Sequence, residues 1–265
     1  MSTPSRMPVL FVSDFGPMPA VETDSYTAAL GRIGQQLPRP RAIVAMSGHW
    51  LAQGALAVTT SPEPPIIYDY YGFPREYYEV TWPCTGAPEV AARALTLLGV
   101  AGIRAQPDPV RGIDHGAWCP LRRVYPEADI PIVQITVPAG DVPRNIMRVG
   151  QALAPLRDDG VLLVGAGTLI HNLRRVHFHG KNDPPDDWAQ RFDDWMQQRL
   201  DPPNTDDLEA YRALAPDARL AAPTTEHFDP LFFVLGAASG EPVTHLHRDI
   251  KWGNGSLRIF ALGEG

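Results

Sequence analysis

The sequence predicts an α/β fold: a single domain with a mostly parallel central sheet flanked by helices, and a site at the carboxyl ends of its strands. Three observations carry this. The runs PVLFVSD (Pro8 to Asp14), RAIVAMSGHW (Arg41 to Trp50) and VLLVGAGTLIHN (Val161 to Asn172) are nearly continuous in apolar residues, as expected of parallel strands covered on both faces. Segments of helical period lie between strands, the pattern of α/β domains. Each of the three runs ends in a polar, ligand-capable group, and open parallel sheets collect ligands beyond the carboxyl ends of their strands.

The elements follow in order. After Asp14 comes a turn-like segment and then Ser25 to Leu37, where Tyr26, Ala29, Leu30, Ile33 and Leu37 recur at helical spacing behind a cap at Asp24 or Ser25. In the second strand Ile43 to Met46 form the apolar block, and Ser47 and Gly48 leave room beside His49. A further extended run spans Ala55 to Pro62. Ile66 to Trp82 holds five tyrosines, a density that suits either a buried loop or an aromatic wall for a flat substrate. Pro88 to Leu98 is an amphipathic helix with Gly99 as its stop.

Arg111 to Tyr125 has no clean period, which puts His115 in a loop where Gly116 permits close approach of a ligand. Ile130 to Val137 reads as a buried strand and Pro143 to Leu156 as a helix. Gly165 to Gly167 completes neither GxGxxG nor GxxxxGK[ST], so nucleotide binding is set aside. Lys181 to Asp187 is a loop, and Trp188 to Leu200 a helix that covers the sheet. Glu226 and His227 precede an apolar helix whose first turn holds Asp229 and Pro230. Ser256 to Leu262 is the last strand.

At 265 residues and 44% hydrophobic, the chain can bury a full core, and no domain boundary interrupts residues 1–265. Its 28 prolines imply many fixed loops, which suits a site built from loops. A dispersed net charge of −7 argues against nucleic-acid binding, which needs a concentrated basic face. Cys84 and Cys119 have no CxxC spacing, so neither zinc nor a redox pair is indicated and a reducing compartment is expected. The apolar run before Asp14 is too short for a signal peptide or a membrane span. These features predict a soluble cytoplasmic protein without membrane attachment, and leave a homo-oligomer open.

Of eight histidines, His177 with His179 and His245 with His247 form HxH pairs among charged or loop residues, and are expected at the solvated surface. His49, His115, His171 and His227 each stand at an element boundary. With Asp14 they are enough for a metal and an acid/base pair. Two histidines and a carboxylate can hold non-haem Fe(II), and a zinc hydrolase can use the same ligands, so the residues alone leave both readings open.

SGHW (Ser47 to Trp50), YDYYGFP (Tyr68 to Pro74), GIDHGAW (Gly112 to Trp118), ADIPIVQ (Ala128 to Gln134), HNLR (His171 to Arg174) and TTEHFDPL (Thr224 to Leu231) occur here in this order. The chain thereby resembles the class III extradiol ring-cleavage dioxygenases, in their 4,5-DOPA dioxygenase-like branch, from about Pro8 to Phe260. The resemblance implies a catalytic α/β domain that opens catechol rings with O2 using a divalent metal, Fe(II) in active enzymes and sometimes zinc. It implies His49 and His227 as metal ligands, and His115 and His171 as acid/base and substrate-binding residues. In one place the chain departs from the family: where the family carries a histidine in an HGSPM-like turn, this chain reads DFGPM with Asp14.

Asp14 with His49 and His227 would restore a two-histidine, one-carboxylate ligand set. Otherwise the shorter side chain fails to reach, the metal is lost or replaced, and the scaffold serves a zinc hydrolase or a metal-free aromatic-binding protein. The expected substrate is a small aromatic diol, with O2 as co-substrate. Tyr68 and Tyr71 are expected to offer stacking surface, and Arg174 or Arg75 to meet a substrate carboxylate.

Overall fold

The strand Val9–Ser13 alternates its burial between two cores, with Val9 and Phe11 in one and Leu10 and Val12 in the other. A strand with so continuous an apolar run must be covered on both faces, and this is what the computed structural model shows for residues 6–140 and 142–263, which it describes. The strands are β1 (Val9–Ser13), β2 (Ala42–Ala52), β3 (Leu56–Thr59), β4 (Ala105–Asp108), β5 (Ile132–Pro138), β6 (Val161–Gly167), β7 (Val243–His247), β8 (Ile250–Lys251), β9 (Gly255–Ser256) and β10 (Ile259–Leu262). Eight form one sheet in the order β4-β3-β5-β2-β6-β1-β10-β7, and β8 pairs with β9 separately.

The centre of the sheet, β5-β2-β6-β1, is parallel, while β10 runs antiparallel to β1 and β7, and β3 antiparallel to β5. The fold class is therefore the one the sequence predicts. Antiparallel strands sit toward the edges, where the chain can turn back without a crossover.

The helices are α1 (Met18–Val21), α2 (Ser25–Gln36), α3 (Pro88–Val100), α4 (His115–Val124), α5 (Pro143–Leu153), α6 (Asp187–Leu200), α7 (Thr205–Glu209), α8 (Tyr211–Leu214), α9 (Ala218–Ala221) and α10 (Pro230–Ala238). Residues of α2 and α4 pack with Leu10, Ile43 and Leu162, and those of α3, α5, α6 and α10 with Phe11, Val44 and Leu163. Among the described residues no helix is long and apolar enough to cross a membrane.

The structure corrects the sequence reading locally. His115 does not lie in a loop: it opens α4, and Asp114 caps that helix by accepting from Ala117 N. Helix α3 runs through Gly99, and the glycine beyond its end with a left-handed backbone is Gly102, φ +72°. The helix from Pro143 ends at Leu153 and tightens into a 3₁₀ turn, Ala154–Arg157, because Pro155 has no N–H to continue it. The strands β4 and β7 carry no local sequence signature, since both lie at sheet edges, are incompletely buried and lack an apolar run.

Candidate metal centre

The site forms where the three central strands end. Ser13 of β1 pairs with Gly167 of β6, and Ser47 of β2 pairs with Ala166, so the residues after them emerge side by side. Asp14 continues β1, its N–H donating to Gly167 O at 3.2 Å.

His49 projects from an irregular part of β2. Met46 faces Ile135 of β5, yet Leu51 already faces Val137, so the residues between them bulge out of the ladder. Such a bulge re-aims side chains at the rim of a sheet.

His227 arrives from the far end of the chain. Thr168 N donates to His227 O at 2.7 Å, which fastens the segment before α10 to the end of β6. Gly48 permits this approach, because a Cβ there would lie 2.9 Å from His227 Nδ1 and 3.0 Å from its Cα. Gly116 acts similarly for His49, whose Cδ2 would be 2.7 Å from an added Cβ. The sequence suggested that Gly116 makes room for a ligand; the room is taken by a neighbouring side chain.

Asp14 Oδ2 accepts from His227 Nδ1 at 2.9 Å and lies 3.8 Å from His49 Nε2. One ligand atom from each of Asp14, His49 and His227 falls within 4.8 Å of the others. The remaining two histidines stand alongside. His171 stacks on His227 with ring centroids 3.8 Å apart, and His115 packs on His49 at 4.0 Å. His171 is held by its own N–H, which donates to Ala221 O at 2.8 Å.

Burial opposes charge on Asp14, yet His227, His49 and His171 together hold its carboxyl down at about 2. Burial, with His115 beside it, pulls His49 down to about 3. His171 falls to about 4, again by burial and then by His227. Burial also disfavours charge on His227, but the adjoining Asp14 outweighs it and raises the pKa. At neutral pH, His49 and His171 are thus uncharged imidazoles beside an ionised carboxylate.

This donor set fits a divalent metal. Asp14 Oδ1 and His49 Nε2 are both buried and have no hydrogen-bond partner among the described residues. Unsatisfied buried acceptors of this kind are rare and point to an ion or other group the site is built to hold. A second donor group, His49 with Asp69 and His115, shares His49, and a third joins His171, Glu226 and His227. Asp69 and Glu226 join the site only in the folded structure. Asp69 hides among tyrosines in YDYYGFP, and its chemistry is visible only once that loop folds against α4.

The five predicted ligand and acid/base residues, Asp14, His49, His115, His171 and His227, therefore come together. The proposed substrate contacts are more dispersed. Tyr68 donates its hydroxyl to Val80 O at 2.6 Å within the aromatic loop, and it is Tyr70 that meets His115, edge-on at 5.2 Å. Tyr71 is 92% exposed, and Arg174 lies on the surface. Arg75 pairs with Glu79 at 2.6 Å. The cation beside His49 is Arg111, its guanidinium 5.1 Å over the Trp50 ring and its Nη2 3.5 Å from His49 O.

The HxH pairs have other partners. His177 contacts Asp183 at 3.0 Å and Asp186 at 3.5 Å. His245 and His247 are half-buried on β7 rather than solvated, His245 lying 2.7 Å from the Gln197 amide nitrogen.

A mostly parallel sheet that delivers a carboxylate and two histidines to one point, with two more histidines packed beside them, defines an α/β protein with a candidate metal site. The chain belongs to the family described as the catalytic LigB subunit of aromatic ring-opening dioxygenase, which it matches over residues 4–254. It is 37% identical to a 4,5-DOPA dioxygenase extradiol of Escherichia coli (strain K12), covering 98% of this chain and 96% of that one. It is 36% identical to a protein of the same name from Beta vulgaris, covering 83% and 81%. A crystal structure of the uncharacterized protein JW3007 from Escherichia coli K12 is similar, with a TM-score of 0.84, 36% identity, and coverage of 97% of this chain and 100% of that one. The family's enzymes are non-haem, metal-dependent dioxygenases.

Proposed function

We propose that the protein, as one catalytic domain over residues 1–265, opens the ring of a small catechol with O2 by extradiol cleavage. In this reading Asp14, His49 and His227 hold the metal, Fe(II) in the active form, with Zn(II) as an alternative occupant. The observation that carries it is the pair of buried, unpartnered atoms, Asp14 Oδ1 and His49 Nε2, set in a three-donor group. Relatives named as extradiol dioxygenases support the reaction class. Aspartate in place of the family's histidine still leaves two nitrogens and one oxygen, a ligand set suited to non-haem Fe(II).

Fe(II), when bound, supplies the redox chemistry that O2 needs to attack an aromatic ring. The chain's own residues manage the protons and the fit. His115 donates from Nδ1 to Asp69 Oδ1 at 2.8 Å, which leaves its Nε2 as the atom that takes a catechol hydroxyl proton. His171, uncharged by burial, accepts a hydrogen bond from the substrate and shares the proton traffic. Tyr68 and the exposed Tyr71 are the aromatic surface assigned to the substrate, with Tyr70 the ring that reaches His115, and Arg174, three residues beyond His171 and exposed, is the cation assigned to a substrate carboxylate. The ring bond next to the diol breaks and both atoms of O2 enter the ring-opened semialdehyde.

Anaerobic loading with Fe(II), followed by an oxygen-electrode screen of catechols, tests the reading. Oxygen uptake with a ring-opened product is the expected result. Hydrolysis by a zinc form, or aromatic binding without metal, would replace it.

A further inference from the structure

We propose that Asp69 is a positioning residue: one carboxylate that accepts from Nδ1–H of both His49 and His115 and so sets the tautomer and orientation of both rings. The inference rests on the reading above, in which His49 is a ligand and His115 handles the proton.

Asp69 Oδ1 lies 2.8 Å from His115 Nδ1 and accepts from His115 N at 3.0 Å. Its other oxygen, Oδ2, lies 3.3 Å from His49 Nδ1. An ionised carboxylate only accepts, so the hydrogen-bonded Nδ1 of His115 carries a proton, and the same carboxylate, 3.3 Å from His49 Nδ1, favours the proton there too. The Nδ1–H tautomer of each ring keeps a bare Nε2. For His49 that atom faces Asp14 Oδ2 at 3.8 Å and has no hydrogen-bond partner among the described residues. An outer carboxylate that fixes a ligating histidine in this way also raises its basicity.

The loop around Asp69 is braced to hold it there. Tyr68 and Tyr70 on either side donate their hydroxyls to Val80 O and Tyr77 O, both at 2.6 Å. Ile67 N donates to Ile113 O at 2.7 Å, and Trp118 Nε1 donates to Ile67 O at 2.9 Å. The tyrosine hydroxyls are thus spent on the shape of the loop, and Tyr70 closes one edge of His115 at 5.2 Å. What the aromatic segment presents toward the histidines is a carboxylate held between two anchored tyrosines.

The test uses metal-free full-length protein with ¹⁵N-labelled histidine, in which long-range ¹H–¹⁵N correlations report which ring nitrogen is protonated. Wild type should show the Nδ1–H tautomer for His49 and His115. Asp69→Asn offers one acceptor and one donor in the same shape, so at least one of the two rings must switch to Nε2–H. Asp69→Glu should keep the Nδ1–H form of at least one ring. In parallel, Fe(II) or Zn(II) affinity measured by chelator competition should fall about 10- to 100-fold in Asp69→Asn, at one ion per chain before and after. Turnover of the Fe(II) enzyme should fall with KM nearly unchanged.

Nε2–H tautomers in wild type, or an Asp69→Asn variant with unchanged tautomers and unchanged metal affinity, would overturn the proposal. Two ions per wild-type chain, one of them lost in Asp69→Asn, would also overturn it by making Asp69 a ligand. If no catechol is turned over, the dioxygenase reading fails, while the tautomer assignment still decides the role of Asp69.

Discussion

Asp14 and His227 are 213 residues apart in the chain, yet the Asp14 carboxylate accepts a 2.9 Å hydrogen bond from His227 Nδ1. The contact joins the end of β1 to the residues just before α10, and both side chains are buried. An ionised carboxylate at that depth requires compensation, which the surrounding histidines provide and a bound cation would complete.

Replacing Asp14 therefore separates a ligand from a remnant. Asp14→Ala is expected to weaken metal binding by more than the ~10- to 100-fold that the loss of an outer partner costs, read by metal content after dialysis. Asp14→His, which puts a nitrogen donor back, should retain one ion per chain. Equal metal content in wild type and Asp14→Ala would remove Asp14 from the ligand set.

His115→Ala and His171→Ala are expected to lower kcat by ~10²- to 10⁴-fold, the range of a lost general acid or base, with metal content unchanged. Steady-state oxygen uptake alongside metal analysis checks this. Loss of the metal in either variant would reassign that histidine as a ligand.

Arg174→Ala should raise KM for carboxylated catechols about tenfold, equivalent to ~1.4 kcal/mol, and leave unsubstituted catechol nearly untouched. If Arg111 meets the carboxylate instead, Arg174→Ala will affect both substrates alike.

Away from the site, Arg258 and Asp193 form a buried pair, Nε to Oδ1 at 2.6 Å and Nη2 to Oδ2 at 2.8 Å, with both side chains 1% exposed. The pair ties the residue just before β10 to α6. Asp193→Ala takes the carboxylate from a buried guanidinium that keeps Gln197 Oε1 and the backbone oxygen of residue 193 as partners, and the uncompensated charge is expected to destabilise the fold by ~3–5 kcal/mol, measured by urea unfolding. Replacement of both partners by apolar residues of similar volume should be far milder.

The sequence by itself determined the strands built on nearly continuous apolar runs, β1, β2, β5 and β6, because burial on both faces leaves a local signature. It also determined which side chains could do chemistry, since Asp14, His49, His115, His171 and His227 all stand where such a run or a helix begins or ends. Tertiary structure decided what those residues touch. The bulge that turns His49 outward depends on how β2 runs against β5, and no periodicity in RAIVAMSGHW records it. Asp69 gains its two histidines only when a loop braced by its own tyrosines packs on the start of α4. Arg111, rather than Arg75 or Arg174, stands beside His49 because the segment leading into α4 lays its guanidinium over Trp50. Period and propensity encode the environment of an element along the chain, whereas a contact between residues 46 or 62 positions apart, as these are, is set by the path of the intervening loops and the packing that ends it.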